Sequence, residues 1–529
     1  MSYFKELSPE SQGIDSEGIL QFLEYIDHKG LELHRFMMIR HGICVAKAAY
    51  SPYKLDDLHP VYSFTKSFTS TAIGFAVQEG ILSLDEHIVD YFPEEIPDAK
   101  DLLLPDGSTP KASYPSANAA KSVEEMIANL KEITLHHLLC MSCGQEEESR
   151  DRGEQWITKF FHQPVIYKPG TFYKYNTMGT NILAAILKKK TGQDITEFLK
   201  DRLFKPLNMG DIFCYHLPDS MQVQSAGSGM KLSIENMAKF TYFMLHNGHW
   251  EGKVVLPDWY PLMSKKHMET EGDSEGHIKD WAMGYGYQCW MGMVEGSFRA
   301  DGAYGQFGLV FPKQDLIVII NAATEQTQSI LDAVNEFLIP AVDFSLSKNK
   351  SKENEEALQA LLNDRLKNLH LPALKNCHNP TFEKKLEGRI YHTKQSCSSL
   401  KTWIGGAGLS EAADQDGILK MRFSIKDDML HWFVEENNNS YEMKACLANS
   451  FYRGYSAATK SEYAATARWR SLHCLEMEVR RMDAMSGTRF LFRFEGENQE
   501  FLRIETDETM MSDGGYGMTD RIVPDFELE

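Results

Sequence analysis

Long apolar runs are missing from this chain of 529 residues. Crossing a bilayer as a helix takes roughly 20 consecutive apolar residues. The densest run here, Leu316 to Ile320, suits a buried strand instead. The opening Met-Ser-Tyr-Phe-Lys-Glu-Leu lacks an apolar signal segment. Cysteine is sparse as well. Nine thiols, an odd number without framework spacing, speak against a disulfide scaffold and for free thiols in a reducing cytoplasm. Positive charge is in deficit, with 55 Lys and Arg against 75 Asp and Glu. The formal charge of −20 repels nucleic acid and anionic lipid, so neither is an expected partner. What remains is a cytoplasmic chain with 43% hydrophobic residues, ample for packed cores. Its length points to two domains.

Apolar patterning places the elements. Residues 36–50 read as a hairpin turning at His41-Gly42. A helix follows from Ser63 to Gly80, and residues 98–122, with Pro105, Gly107, Pro110 and Pro115, form an irregular insertion. Helices are predicted over 123–130, 134–140, 178–191, 194–203 and 231–247, then strands at 284–291, 297–301, 306–311 and 315–320. A helix over 325–338 closes the first domain. Strands at both ends with helices between them predict one antiparallel sheet flanked by helices, an α+β domain over 1–344. The charged, aperiodic stretch 345–355 reads as a linker, within a connecting region 345–382 that includes a helical segment. Beyond 383, short alternating segments such as Met421 to Ile425 and Phe490 to Phe494 predict a small all-β domain over 383–529, sandwich or barrel.

The most informative stretch is Ser63-Phe64-Thr65-Lys66. Ser-x-x-Lys occurs eight times in the chain, but only Ser63 opens a long apolar-periodic run, through Phe64, Phe68, Ala72, Phe75 and Ala76. A serine in the first turn of a helix sits in the positive field of the N-terminus, which favours an alkoxide. A lysine three residues on lies one turn up, on the same face. Where that face is buried, desolvation favours the neutral amine, which can take the serine proton.

Two further segments carry chemistry only in company. Pro169 to Thr177 places Tyr173 and Tyr175 before the helix at 178–191. A tyrosine near such a pair can shuttle protons; the same residues would serve as a helix entry capped by Thr177 or Asn176. Ala300-Asp301-Gly302-Ala303-Tyr304-Gly305, between two strands, allows a backbone N–H to approach a substrate carbonyl, or is a plain hairpin turn. Cys140-Met-Ser-Cys143 beside His136-His137 looks like half a metal site. It lacks a second Cys-x-x-Cys, so two incidental thiols are the simpler reading, and no metal or cofactor is expected. Glu146-Glu147-Glu148 and Glu353 to Glu356 read as solvated surface.

In order, Ser63-x-x-Lys66, Tyr175-Asn176-Thr177 and Ala300-Asp301-Gly302 resemble the serine β-lactamase-like superfamily. The resemblance is closest to class C β-lactamase-related esterases and amidases, 6-aminohexanoate-dimer-hydrolase-like proteins included. It covers about 1–343 and draws in Ile133 to Leu139 and Gly302 to Pro312. It implies a transpeptidase-like fold, with a barrel or lipocalin-like appendage beyond. By position it implies Ser63 as acylated nucleophile, Lys66 as its base, Tyr175 as proton carrier, and the backbone N–H groups of Ser63 and Ala303 as oxyanion donors. Thr177, Ala300, Asp301 and Gly302 fall where that family contacts substrate. Thr177 replaces its asparagine, and Ala300-Asp301-Gly302 replaces its Lys-Thr-Gly, which removes the cation that receives a β-lactam carboxylate.

The expectation is therefore a cytoplasmic serine hydrolase cleaving a small ester or amide through a Ser63 acyl-enzyme. An acyltransferase passing the acyl group to an alcohol or amine has the same signature. A silent ligand-binding or sensor protein on the same fold is the non-enzymatic alternative.

Overall fold

The computed structural model describes residues 3–149, 153–256, 258–271, 276–342, 351–375, 377–393, 399–405, 417–485, 487–508 and 526–528. By internal contacts the chain divides into two units: Met1–Ala48 with Pro60–Lys367, and Ala49–His59 with Asn368–Glu529.

The first unit is built on seven strands: β1 (Lys5–Glu6), β2 (Leu33–Arg40), β3 (Ile43–Ala49), β4 (Trp290–Met291), β5 (Phe298–Gly302), β6 (Gln306–Phe311) and β7 (Leu316–Ala322). Their spatial order is β1-β3-β2-β7-β6-β5-β4. The central pair, β2 and β7, is antiparallel with Met38 opposite Val318, and every residue of both strands is buried. A strand covered on both faces favours an apolar run over alternation, which β7 has from Leu316 to Ile320 and β2 from Phe36 to Ile39, while the buried Arg35 of β2 donates to Asn321 of β7 at 2.9 Å. The α+β sheet expected from sequence is thus present, with one parallel pair, β1 on β3.

Helices cover the sheet: α1 (Ser16–Lys29), α2 (Thr65–Gln78), α3 (Thr177–Thr191), α4 (Ile234–Leu245) and α5 (Lys352–Lys367). Asp15 caps α1 through the Glu17 amide, and Gly30 ends it at φ +65°, a left-handed stop that suits glycine. The helix expected from Lys231 starts later. Met230–Leu232 is a short strand, and the Ser233 side chain caps α4. Of the strand expected at 284–291 only Trp290–Met291 is regular. Of the stretch read as a linker, residues 345–350 lie outside the described residues, while α5 is helical from Lys352 and belongs to the first unit. It packs along α1, where Arg365 pairs with Asp27.

The second unit resolves the choice between sandwich and barrel. Nine strands from Ile390–His392 to Phe526–Leu528 form a ring closed by the parallel bridge Cys446 to Thr466, and Tyr452–Ser456 adds to the outside of Ser461–Ser471. Inward side chains alternate along strands such as Met429–Glu436, the pleat's period of two. Trp403, Trp432, Trp469, Phe423, Phe490, Phe492 and Phe494 fill the interior. Residues 49–59 are tied in by backbone bonds between Ser51 and Leu369 and between Leu371 and Ser51. Arg453 donates to the Asp57 carboxylate at 2.6 and 2.9 Å and to Pro52 O at 3.0 Å.

Candidate active site

Ser63 lies in the 3₁₀ turn Tyr62–Phe64 that leads into α2. The residue before it, Tyr62, has φ +46°, a left-handed conformation that costs a tyrosine free energy and persists only where surroundings enforce it. From Thr65 to Ala76, α2 is buried on every side. The sequence suggested an amphipathic helix. Its hydroxyl residues are buried because each finds a distant acceptor or donor: Ser67 Oγ donates to Gln288 O at 2.8 Å, Thr69 Oγ1 to Ala226 O at 2.8 Å, and Thr71 Oγ1 meets Tyr260 at 2.9 Å. Satisfied in this way, hydroxyls pass into a core at little cost.

Lys66, 1% exposed, projects from this helix into three acceptors. Its Nζ lies 3.0 Å from Ser63 Oγ, 3.2 Å from Thr177 Oγ1 and 2.8 Å from Gly227 O, and 4.8 Å from the centre of the Tyr175 ring. The serine and lysine of the motif thus meet as helical geometry predicts. Thr177, the first residue of α3, turns its hydroxyl to this lysine. Asn176 provides the cap, accepting from Gly179 N at 2.8 Å. Gly227 gave no sequence signal. It supplies the third acceptor because its own N–H is held by Asn181 at 2.9 Å, and because a Cβ there would fall 2.5 Å from Thr177 Cγ2.

The far wall is β5. Gly302 approaches the Ser63 turn so closely that a Cβ would come 2.1 Å from Val61 O, which only glycine avoids. Ser63, Tyr175, Asp301, Gly302 and Ala303 line one cleft of about 540 Å³, with His277, Trp281, Trp290, Tyr304, Glu325 and Thr327. Of the residues that sequence had placed at the site, Lys66, Thr177 and Ala300 do not line this cleft; Lys66 and Ala300 are buried behind it. Tyr175 stacks on Trp290 with centroids 5.9 Å apart and planes 15° apart.

Asp301 is held by a residue the sequence did not single out. Arg299 Nε donates to Asp301 Oδ2 at 2.7 Å and its Nη1 to Met291 O at 2.8 Å. The guanidinium, 2% exposed, lies 4.8 Å from the Trp281 ring centre and 5.9 Å from that of Trp290. Burial pushes the Asp301 carboxyl above its ordinary value, and Arg299 pulls it back. The acidic triplet read as surface is also partly structural. Glu148 accepts from Thr177 N at 2.6 Å and Met178 N at 3.2 Å, a carboxylate at a helix N-terminus, and Glu146 accepts from the Tyr167 hydroxyl at 2.5 Å. Cys140 and Cys143 are buried free thiols. Burial raises Cys140 to about 11, and no group of three or more metal-ligating side chains occurs among the described residues. No helix among them is long and apolar enough to cross a membrane.

Residues 35–339 match the family model described as Beta-lactamase. Lovastatin esterase of Penicillium rubens is 28% identical over 165 residues, covering 30% of this chain and 40% of that protein. 6-Aminohexanoate-dimer hydrolase of Paenarthrobacter ureafaciens is 23% identical over 288 residues, covering 54% and 71%. Among solved structures, a penicillin-binding protein homologue from Caulobacter crescentus aligns with a TM-score of 0.45 at 14% identity, over 61% of this chain and 98% of that one. The chain spans about half the length of most of the curated relatives it matches. The family match takes in more than half of the 529 residues, and the chain belongs to the Beta-lactamase family, within the serine β-lactamase-like superfamily.

Proposed function

We propose that this protein is a serine hydrolase that cleaves a small ester or amide through an acyl-enzyme on Ser63. The observation that carries the reading is the 3.0 Å contact between Lys66 Nζ and Ser63 Oγ at the edge of an open cleft. In the acylation step Ser63 Oγ bonds to the substrate carbonyl carbon while its proton passes to Lys66, directly or by way of the Tyr175 hydroxyl. The carbonyl oxygen takes the negative charge and is met by the Ser63 and Ala303 amides. Collapse breaks the bond to the leaving alcohol or amine, which receives the proton. Water then repeats the sequence and frees Ser63. Thr177 and Gly227 hold the lysine amine on the serine throughout, which is positioning by fixed acceptors rather than chemistry.

An alcohol or amine in place of that water would make the protein an acyltransferase. The aromatic wall of Trp281, Trp290 and Tyr304 favours this second reading to the extent that it offers an acceptor an apolar seat. A fluorophosphonate probe with peptide mapping tests the common step. Ser63 is the expected labelled residue, and label elsewhere or nowhere would remove the proposal. Product partition in the presence of added alcohol then separates hydrolysis from transfer.

A further inference from the structure

The composition of the cleft narrows the substrate. Two carboxylate residues, Asp301 and Glu325, line it, whereas none of its described lining residues is lysine or arginine. Four of the remaining lining residues are Tyr175, Trp281, Trp290 and Tyr304, whose ring faces carry negative potential. The Asp301 side chain is only 10% exposed. Its Oδ2 takes the Arg299 bond, and Oδ1 accepts no hydrogen bond from any described residue. Arg299 stands behind this carboxylate: its guanidinium is shut away at 2% exposure and does not line the cleft. A ligand therefore meets the carboxylate oxygen before it meets the arginine charge, and the interaction with the nearer group dominates.

We propose that the cleft beside Ser63 binds an organic ammonium group, so that the esters or amides turned over are alkylammonium-bearing ones. The inference rests on the Ser63 hydrolase reading and adds the substrate class to it. An ammonium in this position meets one carboxylate oxygen and aromatic faces together, the combination by which proteins hold alkylated amines. A carboxylate-bearing substrate would face the Asp301 carboxylate, with the His277 imidazole, among the described lining residues, the one side chain able to take positive charge beside it.

Two measurements on the full chain test this. Tetramethylammonium chloride, compared with sodium chloride at equal ionic strength, should raise KM for p-nitrophenyl acetate severalfold without changing kcat. It should also quench the tryptophan fluorescence of the Ser63→Ala protein in a saturable way. Acetylthiocholine should exceed its uncharged isostere, 3,3-dimethylbutyl thioacetate, by at least tenfold in kcat/KM, and Asp301→Asn or Glu325→Gln should shrink that ratio. Absence of saturable tetramethylammonium binding, or equal kcat/KM for the two thioesters, would overturn the ammonium site while leaving Ser63 labelling intact. Saturable binding to Ser63→Ala in a protein whose wild type hydrolyses neither ester would instead overturn the hydrolase reading.

Discussion

At the residue scale the site is a lysine with its hydrogen-bonding directions filled. Ser63, Thr177 and Gly227 all lie within hydrogen-bond reach of Lys66 Nζ. As a base the amine is neutral, donates to Thr177 and Gly227 and turns its lone pair to Ser63, so it cannot turn away from the serine without losing a partner. Ser63→Ala is expected to abolish turnover, and Lys66→Ala to cost several orders of magnitude. The double variant should be no worse than Ser63→Ala alone, because the two act as a unit. Additive losses in kcat would end that account. Thr177→Val keeps the volume and removes one acceptor from the amine. The amine then loses one of the two acceptors that aim its lone pair at the serine, so a fall in kcat of roughly ten- to a hundredfold is expected. A kcat within twofold of wild type would show that Thr177 only fills space. Ser63, Lys66 and Tyr175 were legible because a four-residue spacing or a helix entry carries their signal locally. Gly227 was not, since it lies 161 residues from Lys66 in an unremarkable Ala-Gly-Ser sequence. Arg299 was passed over for a similar reason: nothing near it announces the two indoles it stacks on.

At the scale of elements, position was easier to read than environment. The α2 helix was legible from its stripe of Phe64, Phe68 and Ala72, but its burial on every side was not. That depends on acceptors such as Gln288 O and Ala226 O, brought in from more than 150 residues away. The short helix Leu135–Leu139 carries a testable consequence of the same kind. His137 Nδ1 accepts from Thr134 N at 3.0 Å and closes a capping box, so the ring must be neutral to serve. Burial, with the nearby His136 and His87, lowers His137 to about 4, and burial lowers His136 and His267 as well. A group whose folded value lies below its unfolded value stabilises the fold above the unfolded value, and that contribution is lost as pH falls through the folded one. The melting temperature should therefore drop between about pH 6.5 and pH 4. Glutamine at this position of a capping box also bonds back to the cap, so His137→Gln should flatten part of that slope without lowering the plateau at pH 8. An unchanged slope would assign the acid sensitivity to other groups.

For the molecule as a whole, the units are not consecutive in sequence. Residues 49–59 belong with 368–529 although they lie between β3 and the Ser63 turn, a departure invisible to composition because the segment has no pattern of its own. Arg453 and Asp57, 14% and 8% exposed, hold it. Arg453→Met removes the guanidinium from the Asp57 carboxylate, and breaking such a pair where it is buried costs about 3 kcal/mol. The second unit should melt earlier, and amides of residues 49–59 should exchange faster than those of β2. Replacing Asp57 by Leu in the same protein should restore part of the loss. Equal exchange in wild type and Arg453→Met would show that the backbone bonds of Ser51 suffice. A fragment ending at residue 344 strands residues 49–59 without the rest of their unit and is expected to be cut there first by protease.

The placement of the final strand bears on the order in which the protein is made. Phe526–Leu528 pairs with both Ile390–His392 and Phe501–Glu508, so the ring cannot close until residues 526–528 have left the ribosome. Throughout synthesis of the intervening chain, residues 49–59 wait without their partners, next to a serine whose own sheet is completed by β7. A nascent chain stalled between residues 322 and 526 would thus hold an assembled β2–β7 pair and, in its second unit, an open barrel edge with unpaired backbone free to capture a neighbouring strand. Fusing a slow-translating or bulky extension after Glu529 is expected to prolong that state and to increase aggregation during expression, whereas the same extension placed before Met1 leaves ring closure untouched.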